Sequence, residues 1–381
     1  MIDSDRKLIC PITKSKSFIN IFSIKKFPIY MGVVEKKYNA EFKNLNFKIN
    51  KKSGTVQIYP RVTLKKLYFK SHGSGKIGKL WNDHHKQFFH FSKKYLNNKI
   101  LEIGGGHNSV SNMFDHFKEK NTVDLISFDP NGKKLKNVKH RLVKDFFNNK
   151  NLKKFKIKSD LNLIIHSHLI EHIYSPKKFL LKINSLLLKN GYHIFSVPNL
   201  KKMVLNGFAN AVNFEHPFFL DEKMLDLLLH QTGFSIIKKK YFKSSHSIFY
   251  LTKKNQIKRN DNFNFFLENK KIFLNLKKRW TDDINFLNLN IANKKNIFIF
   301  GAHIFSQNLI FNGLDIDNIK YILDNDPDKK NKFLYGTNIK VKETEILKKY
   351  KNPIVILRAG AYNNEIKKSI INKINSKTIF I

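Results

Sequence analysis

The sequence predicts an α/β protein: a central Rossmann-like domain, a small module before it and a second Rossmann-like domain after it. Three observations carry this reading. The apolar segment Ile100-Leu101-Glu102-Ile103 runs into Gly104-Gly105-Gly106-His107-Asn108-Ser109, a strand meeting a glycine turn. A second strand, Ile126-Ser127-Phe128-Asp129, ends on a carboxylate about 20 residues later, where such folds hold a ribose diol. The pattern then restarts at Asn296-Ile297-Phe298-Ile299-Phe300-Gly301-Ala302, followed by Tyr321-Ile322-Leu323-Asp324.

Residues 1–70 read as a small irregular module of short strands, Thr55–Tyr59 among them. Residues 71–98 carry Trp81, His84, His85, Phe88, Phe89, His90 and Phe91 at spacings suited to one packed helix, with the histidines as polar-face or packing residues. From Lys99, strands and helices alternate. The strands are Lys99–Ile103, Leu125–Asp129, a run near Arg141–Phe147, Leu161–His166 and Tyr192–Val197. The helices are Ser109–Lys118, Pro176–Leu188 (stopped by Gly191) and Asp221–Gln231, and the strands Phe234–Lys238 and Ser247–Leu251 close the unit. Alternation of this kind implies a largely parallel sheet covered by helices. The polar run Lys253–Asn262 leads to a helix over Phe263–Phe286, then to the second unit with further strands at Pro353–Leu357 and Thr378–Ile381. The expected domains are therefore 1–70, 71–255 and 256–381.

With 381 residues, 41% hydrophobic content and 35 Phe, the chain is long and apolar enough to fold around substantial cores. It holds no run of about 18 uncharged apolar residues, so no membrane span is expected. The first residues lack the apolar core of a secretory signal. The single cysteine, Cys10, excludes an intramolecular disulfide framework and fits a reducing cytoplasm. The net charge of +42 is spread through the chain without a basic arm. It reads first as compositional drift, with attraction of a phosphorylated substrate as the alternative, and not as a nucleic-acid interface, for which an acceptor-loop motif such as Asn-Pro-Pro-Tyr is missing.

Glu102 ahead of the glycines, and Ser109 where a dinucleotide site has its third glycine, turn the motif away from NAD. Glu102-x-Gly104-x-Gly106 resembles the first motif of class I S-adenosylmethionine-dependent methyltransferases. That resemblance places the glycine turn under the amino-acid end of the cofactor. Asp129 would accept two hydrogen bonds from the ribose hydroxyls. Asp145 and Phe146 would stand beside the adenine, one polar and one stacking. His166 would end the strand that borders the cofactor, and Glu171-His172 matches the segment after it. His168-x-x-Glu171-His172 also spells an inverzincin zinc motif, but it directly follows a buried strand, and no metal is expected there.

The chain as a whole resembles the three-domain sugar C-methyltransferases of deoxysugar pathways. The matching segments are Leu67-Tyr68-Phe69-Lys70-Ser71, His172, Asn213-Phe214-Glu215-His216, Phe300-Gly301-Ala302, Asp324–Lys329, Tyr335-Gly336-Thr337 and Ala359–Ile366. The resemblance implies S-adenosylmethionine as cofactor, a small-molecule substrate that is a nucleotide-linked keto-deoxysugar, and a C-terminal domain that helps hold the nucleotide. It makes Tyr68, His172, Glu215 and His216 the candidate catalytic residues, with His216 or His172 as the base; Glu215 can orient the His216 imidazole. Two departures stand out. The family's paired Cys-x-x-Cys zinc ligands become Cys10-Pro11-Ile12-Thr13 and Asn50-Lys51-Lys52-Ser53, so no zinc is expected and Phe18, Ile21, Phe22, Phe27, Ile29 and Tyr30 must hold the module by packing. Asn213 stands where the family has tyrosine, which leaves O- or N-methylation of a polysaccharide sugar, or an inactive binding protein, as rival functions.

Overall fold

A computed structural model of the chain describes residues 7–35, 39–67, 78–96, 98–104, 123–130, 132–135, 139–256 and 263–381. Two compact units result. One gathers Met1–Lys16, Ser74–Lys201 and Leu220–Asn264; the other gathers Ser17–Gly73, Lys202–Phe219 and Phe265–Ile381. Strands β1 (Phe18–Pro28), β2 (Val33–Val34), β3 (Phe42–Asn50) and β4 (Val56–Tyr59) come first. Next come β5 (Asn98–Ile103), β6 (Val123–Phe128), β7 (Lys139–Val143), β8 (Leu161–Ser167), β9 (Leu187–Pro198) and β10 (Phe218–Phe219). After them lie β11 (Phe234–Phe242), β12 (Ser247–Lys254), β13 (Ile297–Phe300) and β14 (Ile319–Leu323). The last are β15 (Phe333–Leu334), β16 (Val341–Lys342), β17 (Ile354–Leu357) and β18 (Ile379–Phe380).

The first unit is built on one sheet in the order β11-β12-β9-β8-β5-β6-β7. β9, β8, β5, β6 and β7 are mutually parallel, and the edge pair β11–β12 runs antiparallel. This is the α/β architecture the alternation predicts. Its strands are apolar on both faces: Leu161, Leu163, Ile164 and Ile165 of β8 are all buried, as covered parallel strands require. β5 pairs with β6, the next strand in sequence, on one side and with β8 on the other. The connections therefore diverge at the carboxyl end of β5, the switch point at which open α/β sheets receive ligands.

The aromatic stretch before β5 forms the helix Lys79–Ser92, which buries His84, His85, Phe88, Phe89 and Ser92 along one face. Phe88 and Phe89 pack with Ile100, Leu125, Leu163, Ile194 and Phe249. Each buried Phe contributes roughly 1.5–3 kcal/mol. Pro176 opens the helix Pro176–Leu186 from its first turn, where its missing N–H costs nothing. Gly191 is not the helix stop the sequence suggested, because β9 already begins at Leu187. The ladder to β8 steps from Leu161↔Leu187 to Leu163↔Tyr192, and a Cβ on Gly191 would lie 3.1 Å from the Leu161 carbonyl. The glycine admits a bulged strand against its neighbour. The predicted helix Ser109–Lys118 lies outside the described residues.

In the second unit, β1-β3-β4-β10 form an antiparallel sheet and β16-β14-β13-β17-β18 a parallel one. Phe22, Phe27, Ile29 and Tyr30 are buried, while Phe18 and Ile21 are half-buried. β2 pairs with β15, Val34 opposite Phe333, so the leading strands and the C-terminal sheet share this unit. The helix Phe266–Ile291 buries Ile272, Phe273, Leu276, Trp280, Ile284, Leu287 and Ile291, a helical stripe. Among the described residues, no helix is long and apolar enough to cross a membrane.

Candidate active site

Glu102, Gly104, Asp129, Asp145 and Phe146 come together in the first unit at the carboxyl ends of β5, β6 and β7. The Gly104 N–H donates to the Phe128 carbonyl at 2.8 Å, and the Asp129 N–H to the Val143 carbonyl at 3.1 Å. Gly104 has φ +77°, a conformation glycine adopts without strain, so the chain can turn immediately after β5. Glu102 and Asp129 are buried at 2% and 9% exposure. Asp145 Oδ1 accepts from the Phe146 N–H at 2.7 Å, and Asn151 Nδ2 donates to the Phe146 carbonyl at 2.8 Å. These contacts pin the backbone of Phe146 while its ring stays 42% exposed, an aromatic face open to a flat ligand. The donor set fits S-adenosylmethionine: a turn for its amino-acid end, a carboxylate for the ribose and a ring for the adenine. Gly106 and Tyr68 lie outside the described residues.

His166 is buried at the end of β8. Its ring stacks on Phe195 with centroids 5.1 Å apart, and its Nε2 lies 3.0 Å from His193 Nε2. Burial pushes its pKa down to about 3, and burial together with His166 pushes His193 well below the usual histidine range. Two neutral imidazoles share one hydrogen bond there. His172 closes a short 3-10 turn, Ile170–His172, and is half-buried.

Glu215 and His216 lie in the second unit on a loop shaped by Asn213. The Asn213 Oδ1 accepts from the Glu215 N–H at 2.8 Å and from the His216 N–H at 3.1 Å. Asn213 therefore builds a side-chain-closed turn, which a tyrosine could not form. The His216 Nδ1 lies 2.8 Å from the Asn210 carbonyl. A carbonyl only accepts, so Nδ1 carries the proton and a neutral His216 has its lone pair on Nε2. Asn210 thus supplies an orienting acceptor of the kind expected of Glu215. Glu215 has 6% exposure, and its charge adds to burial in raising the Tyr30 hydroxyl pKa well above the usual range. The sequence marks Tyr30 only as a packing residue; its coupling to Glu215 spans 185 positions and leaves no local pattern.

The two loops that stand where zinc cysteines would be are closed by hydrogen bonds. Asn50 Oδ1 accepts from the N–H groups of Lys52 and Ser53, both at 3.1 Å, and Ser53 Oγ meets Thr55 Oγ1 at 2.9 Å. The Thr13 N–H approaches Cys10 Sγ at 3.4 Å. A single thiol in the first loop, and in the second hydroxyls already bonded to one another, do not supply the donors of a tetrahedral thiolate site. In the C-terminal sheet, Asp324 Oδ2 accepts from the Ala302 N–H at 2.8 Å and pairs with Lys329 Nζ at 2.9 Å. The carboxylate that a dinucleotide fold offers to a ribose is here engaged in holding its own turn.

Two family models match the chain: a methyltransferase domain over residues 74–239 and a C-methyltransferase C-terminal domain over residues 242–381. A comparison with curated proteins found no match. Among solved structures, the chain is similar to the CurJ carbon methyltransferase, at 13% identity over 48% of this chain and 57% of that one, TM-score 0.38. The 1,6-didemethyltoxoflavin-N1-methyltransferase of Burkholderia thailandensis, with S-adenosylhomocysteine bound, shows 13% identity over 47% of this chain and 82% of that one, TM-score 0.35. A Clostridium acetobutylicum S-adenosylmethionine-dependent methyltransferase shows 15% identity over 47% and 92%, TM-score 0.33. At such scores these likenesses decide nothing about mechanism. The two matched domains, over residues 74–239 and 242–381, make the chain a methyltransferase. Its methyl donor is S-adenosylmethionine, and its C-terminal part matches a C-methyltransferase C-terminal domain.

Proposed function

We propose that this enzyme methylates a carbon atom of a nucleotide-linked keto-deoxysugar, with His216 as the base that removes the proton alpha to the ketone and His172 as the other candidate. The observation that carries this is the His216 tautomer: Nδ1 is committed to the Asn210 carbonyl, so Nε2 is the nitrogen with a lone pair. Proton removal from a carbon acid needs such a positioned base, which typically contributes about 10²–10⁴ in rate. When bound, the cofactor supplies a sulfonium methyl to the carbanionic acceptor. Asp129 would hold its ribose, Phe146 with Asp145 its adenine, and Gly104 with Gly106 the turn beneath its amino-acid end; Glu102 and His166 back that crevice. Glu215 lends negative charge near Tyr30, and Tyr68 is assigned to the acceptor side by resemblance.

The proposed division of labour follows residues 1–70, 71–255 and 256–381, the last helping to hold the substrate nucleotide. In the second unit a cavity of about 210 Å³ is lined by Phe208, Arg279, Trp280, Asp283, Phe305 and Arg358. Arg358 is fixed by Asp283, with Nη2 to Oδ1 at 2.7 Å and Nε to Oδ2 at 2.8 Å. Aromatic faces beside guanidinium groups suit a base and its phosphates. One observation favours a second reading, transfer to oxygen or nitrogen of a related sugar: Asn213 replaces the tyrosine of the C-methylating pattern. Solvent-deuterium exchange at the sugar carbon, followed by NMR, separates the two. Wild-type enzyme should wash deuterium in and His216→Ala should not; turnover without exchange refutes carbon methylation.

A further inference from the structure

Three histidines remote in sequence meet in the first unit. His84 lies in the helix Lys79–Ser92, His168 directly follows β8, and His246 ends the one-turn helix Lys243–His246. One ligand-capable atom of each lies within 4.8 Å of those of the other two. We propose that His84, His168 and His246 form a binding site for a zinc-class divalent transition-metal ion. An all-imidazole donor set selects zinc, cobalt, nickel or copper over magnesium or calcium. Three protein ligands also leave a fourth tetrahedral position for water.

The surroundings are those of a metal site. His168 Nδ1 stands 3.3 Å from Glu171 Oε1, and the Glu171 side chain is 2% exposed. A buried carboxylate on the far nitrogen of an imidazole is the second layer that orients metal-bound histidines. His84 is fully buried; its Nε2 meets Ser196 Oγ at 2.9 Å, while its Nδ1 has no hydrogen-bond partner among the described residues. A buried ring nitrogen without a partner calls for one.

The hydroxyl of Ser247 now bridges two of the rings, 2.8 Å from His168 Nε2 and 2.6 Å from His246 Nδ1. Bonds of 2.0–2.1 Å in a tetrahedral arrangement set donor atoms about 3.4 Å apart, so the rings must move inward by at most about 1 Å and Ser247 must turn aside. Trp81 walls the group, with centroids 4.9 Å from His168 and His246 and 5.2 Å from His84. The competing arrangement is a cluster of hydroxyl-bridged neutral imidazoles that needs no ion.

The test is cobalt titration of the chelator-treated full chain, read by the visible ligand-field bands of four-coordinate Co2+. One equivalent should develop the bands, and zinc should abolish them. His84→Ala and His246→Gln should each weaken cobalt binding at least about 100-fold, and Glu171→Gln about 10–100-fold. Cys10→Ala should leave the bands unchanged. Circular dichroism of each metal-free variant checks that the fold survives, and Glu171→Gln, which removes no ligand, keeps the test valid if a histidine variant fails to fold. No bands in the wild type at millimolar cobalt, bands that persist in folded His84→Ala and His246→Gln, or bands lost in Cys10→Ala would each overturn the site.

Discussion

Asn213→Ala should destabilise the second unit measurably, because one carboxamide oxygen holds the loop that carries Glu215 and His216. It accepts two backbone N–H groups, at 2.8 and 3.1 Å, where Asn213 is 3% and Glu215 6% exposed. Alanine leaves both donors without that acceptor. An unsatisfied buried donor costs about 1–3 kcal/mol, and with His216 only partly buried the pair should cost about 2–4 kcal/mol. For a unit of this size, 1 kcal/mol moves the midpoint by about 2–4 °C, so the melting transition should fall by roughly 4–16 °C. Asn213→Asp keeps an oxygen in place and should lose less than about 1 kcal/mol. Calorimetric melting of the three proteins reads the difference. If Asn213→Ala melts within 2 °C of wild type, or Asn213→Asp falls as far as alanine, the turn does not depend on that oxygen.

Two further outcomes follow from burial. A Cβ on Gly32 would stand 2.5 Å from the Tyr30 ring, itself 1% exposed, so Gly32→Ala should cost about 1–3 kcal/mol by overpacking, read as a lowered urea midpoint; an unchanged midpoint would mean the ring has room to move. His193 stays neutral when folded, because burial and His166 lower its pKa well below 6.5, whereas the unfolded chain takes up the proton. Its contribution is therefore fully present above pH 6.5 and lost as pH falls below it, about 1.4 kcal/mol between pH 7.5 and 5.5. Urea unfolding at the two pH values should show wild type losing about 1.4 kcal/mol more than His193→Leu; equal losses would contradict it.

Sheet architecture was legible because buried parallel strands leave nearly continuous apolar runs, such as Leu161–Ile165, interrupted only by Asn162, and Ile297–Phe300, which ends at Gly301. The candidate cofactor residues are visible in the sequence because their spacing is local to successive strand ends. Gly191 misled because one residue serves two purposes: a helix stop and a bulged strand look alike in sequence. Asn213 read as a lost tyrosine, and only the loop geometry shows the hydrogen-bonded turn it builds. The His84, His168 and His246 cluster was illegible for a different reason. Its members come from a helix, a loop and a hairpin turn, and no periodicity links positions so far apart.

The account rests on S-adenosylmethionine binding at the end of β5, and isothermal titration of the intact chain with that ligand, before and after Asp129→Ala, tests it most directly. The wild type should bind one equivalent per chain. Removing a carboxylate that accepts two hydroxyl hydrogen bonds, each about 1.5–3 kcal/mol to a charged group, should weaken binding at least about 100-fold. Wild-type protein that gives no heat, or an Asp129→Ala variant that binds as tightly, would contradict it.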